Sequence, residues 1–205
     1  MTDRHPRADV TPLAEPIASP LVGPRVVLRQ LEADDVATLH DLVLDNLDHL
    51  VIMAFTAHEP MGLDERGRLV DGWVVDRLQG LGAHLGIWHH EALIGMAGLH
   101  RRAPDLGTIE IGYWLGQEAE GSGYATEATL LLCDEAFRHP EISVVEIGAD
   151  VSNDRSRATA ERAGFRWVGT QPTRPELRSL AGTGIEARYA RRRAEHHVRW
   201  RDGRS

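Results

Sequence analysis

Three short apolar runs stand close together in the middle of the chain: "HLGIWHH" from His84, "ALIGMAGLHR" from Ala92 and "TIEIGYWLG" from Thr108. The connections between them are far too short for a crossover helix, so consecutive runs can pair only as antiparallel neighbours in a meander. The third run leads through a polar, glycine-bearing loop into an apolar helical pattern, "GYWLGQEAEGSGYATEATLLLCDEAF", residues 112–137. A meander that feeds a helix in this way restricts the chain to mixed α/β architectures.

The flanking sequence adds elements on both sides. "RVVLRQL" alternates and reads as a strand, and "EADDVATLHDLVLDNLDHL" supplies an acidic helix start followed by Val36, Leu39, Leu42, Val43 and Leu47 at helical spacing. A second helical pattern covers roughly residues 63–81, with Leu69, Val70, Trp73, Val74 and Leu78 on one face. After the loop come a helix over about 123–138, the strand "SVVEIGADV", a helix over about 154–163, the strand "FRWVGT" and a last strand near 185–191. The expected order is β-α-α-β-β-β-α-β-α-β-β in one domain, the usual count for 205 residues.

Residues 1–23 are proline-rich and aperiodic, which predicts a flexible arm before a domain over 24–193 and a basic tail over 194–205. No run approaches the roughly 18 apolar residues of a membrane span, and the N-terminus lacks the features of a signal peptide, so a cytoplasmic protein without membrane contact is expected. The formal charge of −8 argues against a general polyanion binder. It is uneven: from Arg188 onward seven arginines face Glu195 and Asp202, leaving about −13 on residues 1–187. An acidic body suits an amine-bearing substrate, while the arginine tail either touches RNA or is a solvated end. The lone Cys133 lies in an apolar run and reads as a core residue, and no Cys/His spacing resembles a metal site.

The glycines explain the loop. Gly121 and Gly123 admit backbone angles closed to other residues, so successive N–H groups can converge on an anion where the helix dipole helps. A phosphate is the natural guest, and an ordinary flexible loop is the plainer alternative. The loop is not a P-loop, because no Gly-Lys-Ser/Thr follows. It is not a dinucleotide fingerprint either, because Thr126 stands at the third glycine position.

Three segments together resemble the GNAT superfamily of N-acetyltransferases, and within it the RimJ/RimL-like ribosomal-protein acetyltransferases: "IEIGYWLG", "EGSGYATEA" and "NDRSRATAERAGF". The resemblance runs from about residue 24 to 189. It implies a mixed, mostly antiparallel sheet of about seven strands, splayed between the fourth ("TIEIGYWL") and fifth ("SVVEIGADV"), with about four flanking helices. It also implies acetyl-coenzyme A in the split, with the arm along the backbone of Trp114 and Leu115 and the diphosphate on Glu120, Gly121, Ser122, Gly123, Tyr124, Ala125 and Thr126. Glu120 departs from the family's cationic or amide residue there. Asn153 is expected to cap the next helix, to touch the coenzyme arm, or both. Ser156 is expected to face the thiol end.

Acetyl transfer requires a neutral amine and a proton for the departing thiolate. An α-amine, titrating near pH 8, is easier to deprotonate than a lysine. By resemblance, Glu110 is the candidate base, acting through water or with a raised pKa, unless it only positions substrate or makes a structural hydrogen bond. Ser156 is the candidate acid and Tyr124 its substitute. Met53 and Phe55, standing where relatives often carry tryptophans, are assigned to the substrate pocket with His58 and His100. The expected activity is acetylation of a protein or peptide α-amine. The alternatives are acetylation of a small amine, transfer of a larger acyl group such as succinyl, and an acyl-coenzyme A sensor or RNA-docking module without turnover. A homodimer is compatible with the resemblance.

Overall fold

In a computed structural model, residues 10–52, 61–103, 107–179 and 181–196 are described. The meander is present: β3 (Gly82–His89), β4 (Ala92–Ala103) and β5 (Thr108–Leu115) pair antiparallel in sequence order. Before them lie β1 (Leu21–Val22) and β2 (Val27–Arg29), and after them β6 (Val144–Asp150), β7 (Arg166–Pro172) and β8 (Ile185–Arg192). The sheet order is β1-β2-β3-β4-β5-β6-β8-β7, and only β5 and β6 run parallel. Eight strands stand against the seven expected, because the two-residue β1 sits in a proline-flanked stretch with no room for alternation.

Among the described residues five α-helices cover the sheet: α1 (Val36–Leu44), α2 (Leu47–Leu50) and α3 (Leu63–Leu78), then α4 (Tyr124–Ala136) and α5 (Asp154–Arg162). The period-two alternation of the central strands divides their side chains between two cores. Leu85, Ile87, Leu99, Ile109 and Ile111 pack with Leu131 and Leu132 of α4, whereas Trp88, Met96 and Trp114 pack with Leu39 and Val43 of α1 and Val70 of α3. Cys133 is fully buried in the first of these cores, where burial pushes its thiol pKa up to about 12 and leaves it unreactive.

Residues 10–23 do not form a flexible arm. Leu13 and Ile17 are buried in the core beside α4, and the chain then enters β1. Glu127 of α4 explains the turn that follows. Its carboxylate accepts the amides of Arg25 (2.7 Å) and Val26 (3.0 Å) and the Arg25 Nε–H (2.8 Å). A Cβ at Gly23 would lie 2.7 Å from the same carboxylate, so only glycine lets the turn approach so closely. At the other end, Arg193 donates to the carbonyls of Phe137 and His139, securing the chain beyond β8 against the end of α4.

Candidate active site

β5 and β6 pair only over Thr108–Glu110 and Val144–Glu146. Beyond Glu110 the β6-facing edge of β5 has no strand beside it, and a cleft of about 1210 Å³ opens between β5, the glycine loop and α5. Trp114 and Leu115 turn their side chains into the two cores, so the open edge offers a ligand backbone groups.

The far wall of the cleft is the glycine loop. Gly121 (φ +75°) and Gly123 (φ +81°) are both left-handed, and Gly123 is the N-cap of α4. Nothing lies within 4 Å of where a Gly121 Cβ would stand, and the space beside Gly123 holds only the Arg25 guanidinium at 3.5 Å. Thr126 Oγ1, just inside α4, has no hydrogen-bond partner among the described residues. Open space, free α4 amides and an unpartnered hydroxyl suit an anion such as a diphosphate. Arg25 braces the loop from behind by donating to the Ser122 carbonyl at 2.8 Å.

The opposite wall is α5. Asn153 caps it: Oδ1 accepts the Ser156 amide at 3.0 Å, which places the Ser156 side chain one turn into the helix, facing β5. There the Tyr113 hydroxyl lies 3.1 Å from both Ser156 Oγ and the Ser156 carbonyl. Burial pushes the Tyr113 pKa up to about 12, so the phenol stays protonated and can donate to either oxygen.

A second, smaller cavity of about 100 Å³ meets the cleft at Ile52, Tyr113, Asn153 and Ser156 and carries Glu110 in its wall. Glu110 and Ser156 come from opposite faces of the sheet. Alternation sends Glu110, Gly112 and Trp114 toward α1 and α3, and Tyr113 toward α5, so the two residues share a cavity only because the strands part between them.

Glu110 is buried and salt-bridged. Its Oε2 accepts from Arg188 Nη1 at 2.8 Å and lies 3.5 Å from Arg174 Nη2. Arg188 also reaches Glu146 at 2.6 Å and Glu186 at 3.3 Å. Burial opposes the guanidinium's charge, but the three carboxylates outweigh it, Glu110 foremost, and the Arg188 pKa is raised. Gly148 makes room, since a Cβ there would lie 2.6 Å from both Arg188 Nη1 and Glu186 Oε2. Asp150, which lines the cavity, accepts the Thr183 amide at 2.7 Å and the Ser152 hydroxyl at 2.7 Å.

The remaining expectations divide. Tyr124 packs away from the cleft, under the Arg25 guanidinium and 3.1 Å from His89 Nε2, so its phenol does not face the site. Glu120 lines the cleft, paired with Arg155 of α5 and with His49 of α2 at 3.2 Å. His100 sits across β4 from Glu110 in register, edge-on to His84, but lines neither cavity. Met53, Phe55 and His58 lie outside the described residues. Sequence reasoning missed Tyr113, Arg188 and Arg155. Tyr113 stands in "GYWLG" where a strand aromatic reads as core, and the arginines gain meaning only from partners 78 and 35 residues away.

The sequence profile of the Acetyltransferase (GNAT) domain matches residues 25–166. The chain is 34% identical over 145 residues to "Putative ribosomal N-acetyltransferase YdaF" of Bacillus subtilis (strain 168), a match covering 70% of this chain and 79% of that protein. It is 29% identical over 102 residues to the ribosomal-protein-serine acetyltransferase of Escherichia coli (strain K12), covering 50% of this chain and 57% of that one. Among solved structures it aligns with RimL, a ribosomal L7/L12 alpha-N-protein acetyltransferase in complex with coenzyme A. The TM-score is 0.76 at 24% identity, over 89% of this chain and all of that one. The profile match and the Bacillus relative, together with a parted parallel strand pair that ends on a left-handed glycine loop, place the chain in the GNAT family, as an acetyltransferase.

Proposed function

We propose that the chain transfers an acetyl group from acetyl-coenzyme A to the α-amine of a protein or peptide N-terminus. One observation carries this reading: the cleft between β5 and β6 ends on the amides of Gly121–Thr126 at one side and meets a carboxylate-lined cavity beside Ser156 at the other. The relatives that act on ribosomal proteins favour an acceptor of that kind.

When bound, the thioester supplies an activated carbonyl and a thiol leaving group. The glycine-loop amides hold the diphosphate, and the open edge of β5 aligns the arm. Glu110, hydrogen-bonded to Arg188, takes up the amine proton directly or through one water at its carboxylate. Ser156 Oγ, with the Tyr113 hydroxyl behind it, gives a proton to the departing sulfur. Two proton-handling groups on opposite sides of the split let acceptor and donor enter by separate routes, which suits direct attack in a ternary complex.

The test is thiol release from acetyl-coenzyme A with three acceptors: a peptide with a free N-terminus, the same peptide N-terminally blocked but carrying lysine, and a set of small amines. Intact-mass analysis then identifies the group transferred. Acetylation confined to the free N-terminus supports the reading. Turnover only with small amines, or only with another acyl donor, contradicts it.

A further inference from the structure

The mouth of the cleft carries a charge arrangement that a phosphate site does not call for by itself. Glu120 immediately precedes Gly121, where its carboxylate would repel a diphosphate held by the loop amides. That carboxylate is bound across the cleft by Arg155, in the first turn of α5, and on its other oxygen by His49. Glu120 keeps 24% of its side-chain surface and Arg155 keeps 76%, so the guanidinium reaches from solvent to the loop and can swing without unpacking anything. Arg162, the other arginine lining the cleft among the described residues, is held one turn back by Thr159 Oγ1 at 3.1 Å.

We propose that Arg155 is a coenzyme-binding residue that exchanges its guanidinium from Glu120 to the coenzyme's diphosphate, so that Glu120 sets the affinity by competing for it. The cation that would normally accompany the loop is thus supplied from α5, on the facing wall. A guanidinium suits both partners, because its fork of N–H groups matches a carboxylate and a phosphate alike. The exchange has a counter-intuitive sign: removing the carboxylate should tighten binding although it deletes an ion pair. The proposal rests on reading the cleft as a coenzyme site.

The experiment is calorimetric titration of coenzyme A into the wild-type protein, Glu120→Gln, Arg155→Ala and the double variant, at two salt concentrations. Arg155 is exposed, so its alanine variant disturbs no packing, and thermal unfolding of each protein checks that it folds. Glu120→Gln is expected to tighten binding by about threefold and Arg155→Ala to weaken it by about tenfold, with both effects shrinking at high salt. The gain from Glu120→Gln should shrink once Arg155 is alanine, to what relief of repulsion alone contributes, which is the signature of competition for one guanidinium. A gain that is equal or larger in the Arg155→Ala background would show simple repulsion and overturn the exchange. Unchanged affinity in both single variants would overturn it while the cleft assignment stood. Failure of the wild-type protein to bind coenzyme A would overturn the cleft assignment and the exchange together.

Discussion

Ser156 and Glu110 give the proposed chemistry separable signatures. Glu110→Gln keeps the shape and the hydrogen bond to Arg188 but removes basicity. The rate should fall about a hundredfold at neutral pH and partly recover as rising pH deprotonates the amine unaided. Ser156→Ala leaves amine deprotonation alone and removes the donor to the thiolate, so its defect should persist at high pH. Tyr113→Phe should cause a smaller, pH-independent loss, because it removes only the hydroxyl behind Ser156. Rate–pH profiles of the three variants check this, and three identical profiles would point to positioning instead of proton transfer. Glu110, Asn153 and Ser156, each singled out by its spacing from a recognisable motif, line one cavity. The sequence hid the salt bridge that fixes Glu110, since Arg188 lies on a strand that reads only as a basic end. Tyr124 shows the reverse failure: it stands inside the motif, but the helix start turns its phenol toward His89.

At the scale of elements, the helices and strands that carry function follow hydrophobic periodicity closely. The long second helical pattern becomes α3, and the helix after the glycine loop becomes α4, each within about three residues at its ends. Residues 10–23 were illegible because proline and the lack of period hide a segment that packs through two side chains, Leu13 and Ile17, and leads into a turn at Arg25 and Val26 pinned by the Glu127 carboxylate over a hundred residues away. That carboxylate is therefore a strong prediction. Glu127→Ala leaves the buried Val26 amide unsatisfied and frees the turn that braces the glycine loop, so it should cost about 2–4 kcal/mol. Denaturant unfolding measures this, and a loss under about 0.5 kcal/mol would show the turn to be independent of α4. Arg193→Ala should also lower the unfolding midpoint, because three main-chain carbonyls, Phe137, His139 and Ile142, each lose a donor.

Across the whole molecule, the shifted groups predict how stability depends on pH. Asp35, Glu135, Glu141 and Asp150 all titrate below their ordinary values in the folded chain. Hydrogen bonding from Arg29 does this for Asp35. For Glu135, burial pulls the other way and is outweighed by hydrogen bonds from His139 and the Ala18 amide. A depressed folded value means that the unfolded chain binds protons first, so the stabilisation is complete above the ordinary values of 3.8 and 4.5 and is lost as pH falls through the folded ones. His49, depressed by burial and then by Arg155, adds a loss of the same sign that begins near its ordinary 6.5. Unfolding midpoints should therefore decline gently below about pH 6.5 and steeply below about pH 4.5. A midpoint that holds constant down to pH 3 would contradict this. No helix among the described residues is long and apolar enough to cross a membrane, and a large opening lies where the sheet parts. The central claim is that this opening holds acetyl-coenzyme A on the glycine-loop amides. Its most direct test is calorimetric titration of the coenzyme into the wild-type protein and Gly123→Val, with circular dichroism confirming that the variant folds. The account predicts binding to the wild-type protein and a loss of at least about tenfold in the variant, because a branched side chain strains the left-handed turn and crowds the Arg25 guanidinium that braces the loop. Full coenzyme affinity in a folded Gly123→Val protein would contradict it.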